Sequence, residues 1–292
     1  MVEIALIIPV YNRKNITIEG LKNISTATEY YSVNGQGKID IKIVLVDDGS
    51  TDGTSEWIEA NRPDIYLLNK QSNLWWSGAI NIGVQYAERN LGVSHVMLWN
   101  DDTICAQDYF FELEKVLLSD PKYAESILVS KIFWLNKNDQ LFNFGAYYNS
   151  KTGKKTLIGL NQPDIYQEIL KIDWSGGMGT LIPVKIINEL EYLDNINLPQ
   201  YHGDLDFFLR AKEKGYVSYA IPGLKIYNNA ETTGLTGSKL KDLPMLFTSN
   251  RSLHNIKQNY YLNKRHSNTL TSWALFLREY VVVIIKSIIS KH

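Results

Sequence analysis

"IKIVLVDDGSTDGTSEW", residues 41–57, holds three local textures in one line. The run from Ile41 to Val46 is apolar apart from Lys42 and rich in β-branched side chains, which predicts a buried strand. Asp47 and Asp48 end it, "DGSTDG" supplies a loop with an N-cap, and helical spacing covers 54–60. The same succession recurs on both sides. "IALII" (4–8), "IYLL" (65–68) and "VMLW" (96–99) read as strands, with helical spacing at about 16–28, 78–89 and 106–118. Strand–helix alternation over roughly 120 residues predicts an α/β protein, a mostly parallel sheet flanked by helices. Ligands of such sheets bind beyond the carboxyl ends of the strands.

Three of those ends carry polar clusters: "PVYNR" after the first strand, "DDGSTDGT" after the second and "NDDT" after the fourth. In "NDDT" the carboxylates of Asp101 and Asp102 are adjacent. Like charges this close repel and neither is buried cheaply, so a positive group is expected beside them. The second half changes texture. "LFNFGAYYN" (141–149) alternates like a strand, and "KTGKKT" reads as a turn. The glycines of "DWSGGMGTLIP" (173–183) allow a tight bend or a close backbone approach to a ligand. "YHGDLDFFLRAKEKGY" (201–216) predicts a loop, a helix starting at Asp204–Asp206 and a stop at Gly215.

The 292 residues, 45% hydrophobic and 21% charged, suffice for one large domain with a tail. The single cysteine, Cys105, excludes an internal disulfide and a thiolate-rich metal site, and reducing cytoplasm is the expected setting. "MVEIALIIPVYNRK" reads as a first strand rather than a signal peptide. The net charge of −1 conceals an asymmetry: nine Lys/Arg against two acids from Lys239 onward give +7, leaving −8 for residues 1–238. A basic tail points to an anionic partner surface. The acidic body and the lack of a binding motif argue against nucleic acid.

"IPVYNR" (8–13), "VLVDDGSTDGT" (44–54), "NDD" (100–102), "WSGGMGTLIP" (174–183) and "GDLDFFLRAKEKGY" (203–216), in that order, resemble a family 2 inverting glycosyltransferase of the GT-A fold. Bacterial polysaccharide and rhamnosyltransferase-like members are the nearest type. The resemblance covers residues 3–235 and implies a Rossmann-like sheet that moves a sugar from a UDP or dTDP donor to a hydroxyl of a glycan acceptor. It places a divalent cation, Mg²⁺ or Mn²⁺, on Asp102, with Asp101 beside the ribose. Donor binding falls on Pro9, Tyr11, Asn12, Arg13, Asp48, Asn73, Gly78 and Asn81. Asp204 is the implied general base, since an acceptor hydroxyl needs one. Trp75, Trp76, Trp174, Gly176 and Gly177 are the expected acceptor or sugar pocket. Asp206 and Arg210 are expected to organise their helix.

The chain departs from the family in two places. "NLWWSGAINIG" (73–83) puts Trp75 and Trp76 where relatives carry small residues, either as core or as a pocket wall. Where relatives supply a metal-binding His, "IYNNAETTG" (226–234) offers Asn228, Asn229 and Glu231. The expected division is a transferase domain over 1–238 (nucleotide half 1–103, acceptor half 104–238) and a basic helical extension over 239–292. "WALFLREYVVVIIKSII" (273–289), interrupted by Arg278, Glu279 and Lys286, is expected to lie on a membrane surface or to dock on the body or a second subunit of a homo-oligomer. A cytoplasmic enzyme peripheral to the membrane, working on a lipid-linked glycan, fits such a tail. The competing readings are a sugar-nucleotide nucleotidyltransferase, which would open with a glycine-rich loop absent from "PVYNRKN", and a non-catalytic nucleotide-sugar-binding module.

Overall fold

The computed structural model describes residues 1–70, 73–229 and 240–289. Glu231, Lys239 and Lys291, used in the sequence argument above, lie outside the described residues. The four apolar runs form β1 (Val2–Val10), β2 (Ile39–Asp47), β3 (Tyr66–Asn69) and β4 (His95–Leu98), paired in parallel in the order β3-β2-β1-β4. Between them run α1 (Lys14–Asn34), α2 (Thr54–Asn61) and α3 (Trp75–Tyr86), with α4 (Tyr109–Ser119) after β4. Helices cover both faces because β1 is apolar on both. Ile4, Leu6 and Ile8 pack with Leu21 and Ile24 of α1 and Leu113 of α4. Ala5 and Ile7 pack on the opposite side with Ile80 and Val84 of α3. Each fully buried side chain of this size contributes about 2 kcal/mol on leaving water.

The sheet continues through β11 (Thr180–Pro183), antiparallel to β4, and then β6 (Ile127–Trp134), β12 (Ser218–Asn228) and β10 (Leu170–Ile172). Short β5 (Ile104–Cys105) pairs with β12, and β7 (Lys137–Asn143) pairs with β6. The stretch 141–149, expected as one strand, divides. Gly145 has φ +79°, and a Cβ there would lie 2.6 Å from Ile172, so the chain bends between β7 and β8 (Ala146–Asn149). Of "KTGKKT", only Lys151–Gly153 lie in the turn after β8; the rest, expected as turn, is strand and opens β9 (Lys154–Leu157), which pairs with β8. The remaining helices are α5 (Pro121–Ala124), α6 (Val184–Glu189), α7 (Gly203–Glu213), α8 (Leu243–Thr248), α9 (Ile256–His266) and α10 (Leu270–Ile289).

The register places the chemistry. Val10 sits opposite Asp47, and Ile7 opposite Leu98, so the loops after β1, β2 and β4 leave one edge of the sheet. β11 runs the other way and begins with Thr180 opposite Leu98, which brings "WSGGMG" to that edge from the opposite direction.

Candidate active site

Asp101 and Asp102 meet their positive group inside the protein. The Arg13 guanidinium, which follows β1, reaches Asp101 Oδ1 at 2.9 Å and Asp102 Oδ2 at 2.8 Å. Asp101 is buried, 5% exposed, with Thr17 donating at 3.5 Å. Burial pushes its carboxyl up to about 7, against the pull of Arg13. α1 comes this close because Gly20 lacks a side chain: a Cβ there would lie 2.3 Å from the Asp101 carbonyl oxygen.

The loop after β2 is built by its own acids. Asp47 is fully buried and accepts from the Ser50 amide at 2.8 Å and from the Ser55 hydroxyl. Asp48 accepts from the amides of Leu74 (2.8 Å) and Trp75 (3.1 Å), so it holds the start of α3. Burial raises its pKa, and those two amides oppose the rise. Asn12, with φ +51°, receives the Thr51 amide at 2.7 Å and donates its own to Ser50 at 2.8 Å. Two of the three strand ends are thereby stitched together. Pro9 lies on β1, while Tyr11 and Asn73 stand exposed near these loops.

α3 links the two sides of the rim. Trp76 donates its indole N–H to Asn100 Oδ1 at 3.1 Å. Its ring covers Gly177, where a Cβ would lie 2.3 Å from the indole. The Gly177 amide in turn donates to Asp204 Oδ2 at 3.2 Å, and Asp204 Oδ1 accepts from Leu205 at 2.7 Å. Gly176 also borders Asp204, 3.8 Å from its Oδ2 by the same measure. Trp76 is therefore a wall between "NDD" and Asp204. Gly78 and Asn81, expected at the donor, lie on the buried face of α3. Asn81 donates to the Leu193 carbonyl at 2.9 Å and accepts from its amide at 3.0 Å, and Gly78 faces Asn195. Trp174 packs beside Leu205, Leu209 and Leu262.

Burial raises the pKa of Asp204, opposed by the Leu205 and Gly177 amides and by the nearby charge of Lys155. Lys155, on β9, donates to His202 Nδ1 at 3.5 Å. Burial lowers Lys155 to about 8 and holds His202 well below its ordinary value, so the imidazole is neutral. Sequence reading missed Lys155. It sits 49 residues before Asp204 in what reads as a turn, and no local signal marks it. Asp206 and Arg210 do organise α7: Arg210 Nε binds Asp206 at 2.8 Å, and its Nη2 donates to the Tyr192 carbonyl at 2.8 Å.

Among the described residues no group of three or more His, Cys, Asp or Glu side chains converges as a metal cage. The donor set of Asp102 beside Asp101 suits a hard cation that takes its other oxygens from a diphosphate and water, the usual magnesium arrangement.

Comparison with known proteins agrees with this architecture. Glycosyltransferase GlyA of Streptococcus pneumoniae serotype 4 is 27% identical over 197 residues, 65% of this chain and 26% of that protein. This chain thus spans about a quarter of that relative's length. The mannosyltransferase PcManGT of Pyrobaculum calidifontis, in complex with GDP-Man and Mn²⁺, superposes with a TM-score of 0.59 at 13% identity, over 98% of this chain and 72% of that one. S. aureus TarS 1–349 in complex with UDP-GlcNAc gives 0.56 at 13% identity, over 97% and 82%. At such identities these likenesses show the shared GT-A fold. The chain matches the family model for glycosyl transferase family 2 over residues 5–165, more than half of its length, and it belongs to that family.

Proposed function

We propose that this chain is an inverting glycosyltransferase that moves a sugar, with a deoxyhexose such as rhamnose among the candidates, from a UDP or dTDP donor to a hydroxyl of a lipid-linked glycan in surface polysaccharide assembly. The observation that carries the proposal is the line from Asn100 through Trp76 and Gly177 to Asp204, which puts the acidic pair and the candidate base on one rim. The donor complexes of the two solved structures support a nucleotide-sugar at such a rim, and the Mn²⁺ of one supports a cation.

In this reading Pro9, Tyr11, Asn12 and Arg13 receive the nucleotide, and Asp48 fixes the neighbouring loop against α3. Arg13 orients both carboxylates; Asp102 would hold Mg²⁺ or Mn²⁺, with Asp101 behind it. A bound cation supplies Lewis-acid stabilisation of charge on the leaving diphosphate. Asp204, on the far side of Trp76, takes the proton of the acceptor hydroxyl. Its raised pKa makes it a better base than an exposed carboxylate, and the Leu205 and Gly177 amides and the charge of Lys155 oppose that rise. Trp76 presents an apolar face to the sugar and excludes water from the reacting centre.

The test is a panel of nucleotide sugars screened for thermal stabilisation with and without Mn²⁺, followed by assay of the best donor. A ligand that binds only the folded protein raises its melting temperature in proportion to ln(1 + [L]/Kd). A UDP- or dTDP-sugar is expected to stabilise the protein only with the cation; no response to any member would overturn the proposal.

A further inference from the structure

The C-terminal helix α10 is turned against the usual pattern. Its buried positions are Ser272, Tyr280 and Ser287. Leu277, Val281, Ile284, Ile285, Ile288 and Ile289 are 37–68% exposed. The first five, at spacings of four, three, one and three residues, fall on one helical face. Of the 22 large apolar side chains exposed among the described residues, 12 lie between Met245 and Ile289. A surface facing only water rarely keeps so continuous an apolar patch.

Charge chooses the occupant. Residues 240–289 carry seven Lys/Arg against Asp242 and Glu279, a net +5. Arg278 and Lys286, on α10 itself, have no carboxylate within 4 Å among the described residues. An antiparallel two-fold pairing of α10 centred between them would set Arg278 of one copy beside Lys286 of the other, cation against cation. An anionic lipid surface complements them, and their long stems let the charged ends reach headgroups while the helix stays buried. Tyr260 of α9 and Trp273 of α10, ring centroids 5.3 Å apart, add the amphipathic rings that suit such an interface. Among the described residues no helix is long and apolar enough to cross a membrane.

We propose that the Leu277–Val281–Ile285–Ile288 face of α10 docks the protein on an anionic bilayer, with the helix lying along the interface. The proposal is independent of the sugar chemistry: a chain that transferred nothing would still bind. The test is flotation of the full chain with vesicles of phosphatidylcholine alone or mixed with phosphatidylglycerol. The protein is expected to float with the anionic vesicles and to release in high salt. The outward double substitution Val281→Glu with Ile285→Glu should cut the bound fraction at least about ten-fold, with an unchanged melting curve. Arg278→Glu with Lys286→Glu, which leaves the apolar face intact, should also release it. Failure of the wild type to bind, equal binding to neutral vesicles, or indifference to both substitutions would overturn the proposal. So would a dimer in light scattering that Val281→Glu with Ile285→Glu dissolves, since that assigns the face to a second copy.

Discussion

Asp204→Asn keeps the shape of the side chain and removes its basicity. Turnover is expected to fall by about 10²–10⁴-fold, while cation-dependent stabilisation by the donor stays unchanged; near-normal turnover would remove Asp204 as base. Asp102→Ala should act the other way and abolish the part of nucleotide binding that needs Mn²⁺, with nucleotide affinity measured calorimetrically in its presence and absence. Lys155 gives a finer test, because its charge is one of the influences lowering the Asp204 pKa. Lys155→Met should therefore move the acidic limb of the kcat/KM profile to higher pH; an unmoved limb would show that the charge does not reach the proposed base. Asp102, Asp204 and Arg13 were legible as candidates because each stands in a short motif at a strand or helix end. The sequence reading placed Arg13 at the nucleotide and set a divalent cation with its diphosphate against the charge of Asp101 and Asp102. In the fold Arg13 itself reaches both. Gly20 and Lys155 were illegible, since their importance comes from what lies 81 residues after the one and 49 after the other.

The join between α7 and α9 shows how the extension is fixed. Asp206, fully buried two residues beyond Asp204, accepts from Arg210 at 2.8 Å, Arg265 at 2.7 Å and His266 at 2.9 Å. Burial alone would raise its pKa; His266, Arg210 and Arg265 outweigh burial and lower it from 3.8 to about 2. A folded pKa below the unfolded value stabilises fully above pH 4 and loses that contribution as pH falls towards 2. The difference is on the order of 2 kcal/mol. Asp206→Asn, which leaves Arg265 and His266 without their shared acceptor, should cost about 3–5 kcal/mol at neutral pH. Urea unfolding should show the gap to wild type narrowing between pH 4 and pH 2; a gap independent of pH would contradict the assignment. The first four strands were readable because apolar runs and acidic turns alternate cleanly. The break in 141–149 was not, because its alternation continues through Gly145 and only the contact with Ile172 forces the bend. α10 was half readable: its sequence shows an interrupted apolar helix, but not that Ser272, Tyr280 and Ser287 would be the ones turned inward.

The expected division of the chain into a body (1–238) and an extension (239–292) rests on composition and charge alone, chiefly on the sign reversal between them. The order of the sheet the sequence does not show, because antiparallel insertion of β11 between β4 and β6 depends on Thr180 pairing with Leu98, 82 residues before it, and with Val129, 51 residues before it. Composition is equally silent on whether the two parts melt together. The contacts argue that they do: α9 gives Arg265 to Asp194 and Asp206, His266 to Asp206, and Leu262 to Leu205 and Leu209. Undocking α9 would strand the buried Asp206 with Arg210 alone and expose apolar surface on α7, the helix that carries Asp204. The amides of Ile256–His266 should therefore exchange with deuterium only as slowly as those of Gly203–Glu213, both through global unfolding. Arg265→Ala should separate them, speeding exchange in α9 well before α7 responds. Rapid exchange of α9 in the wild type, with α7 still protected, would mean that α9 opens on its own and that the helix carrying Asp204, the proposed base, does not depend on its docking.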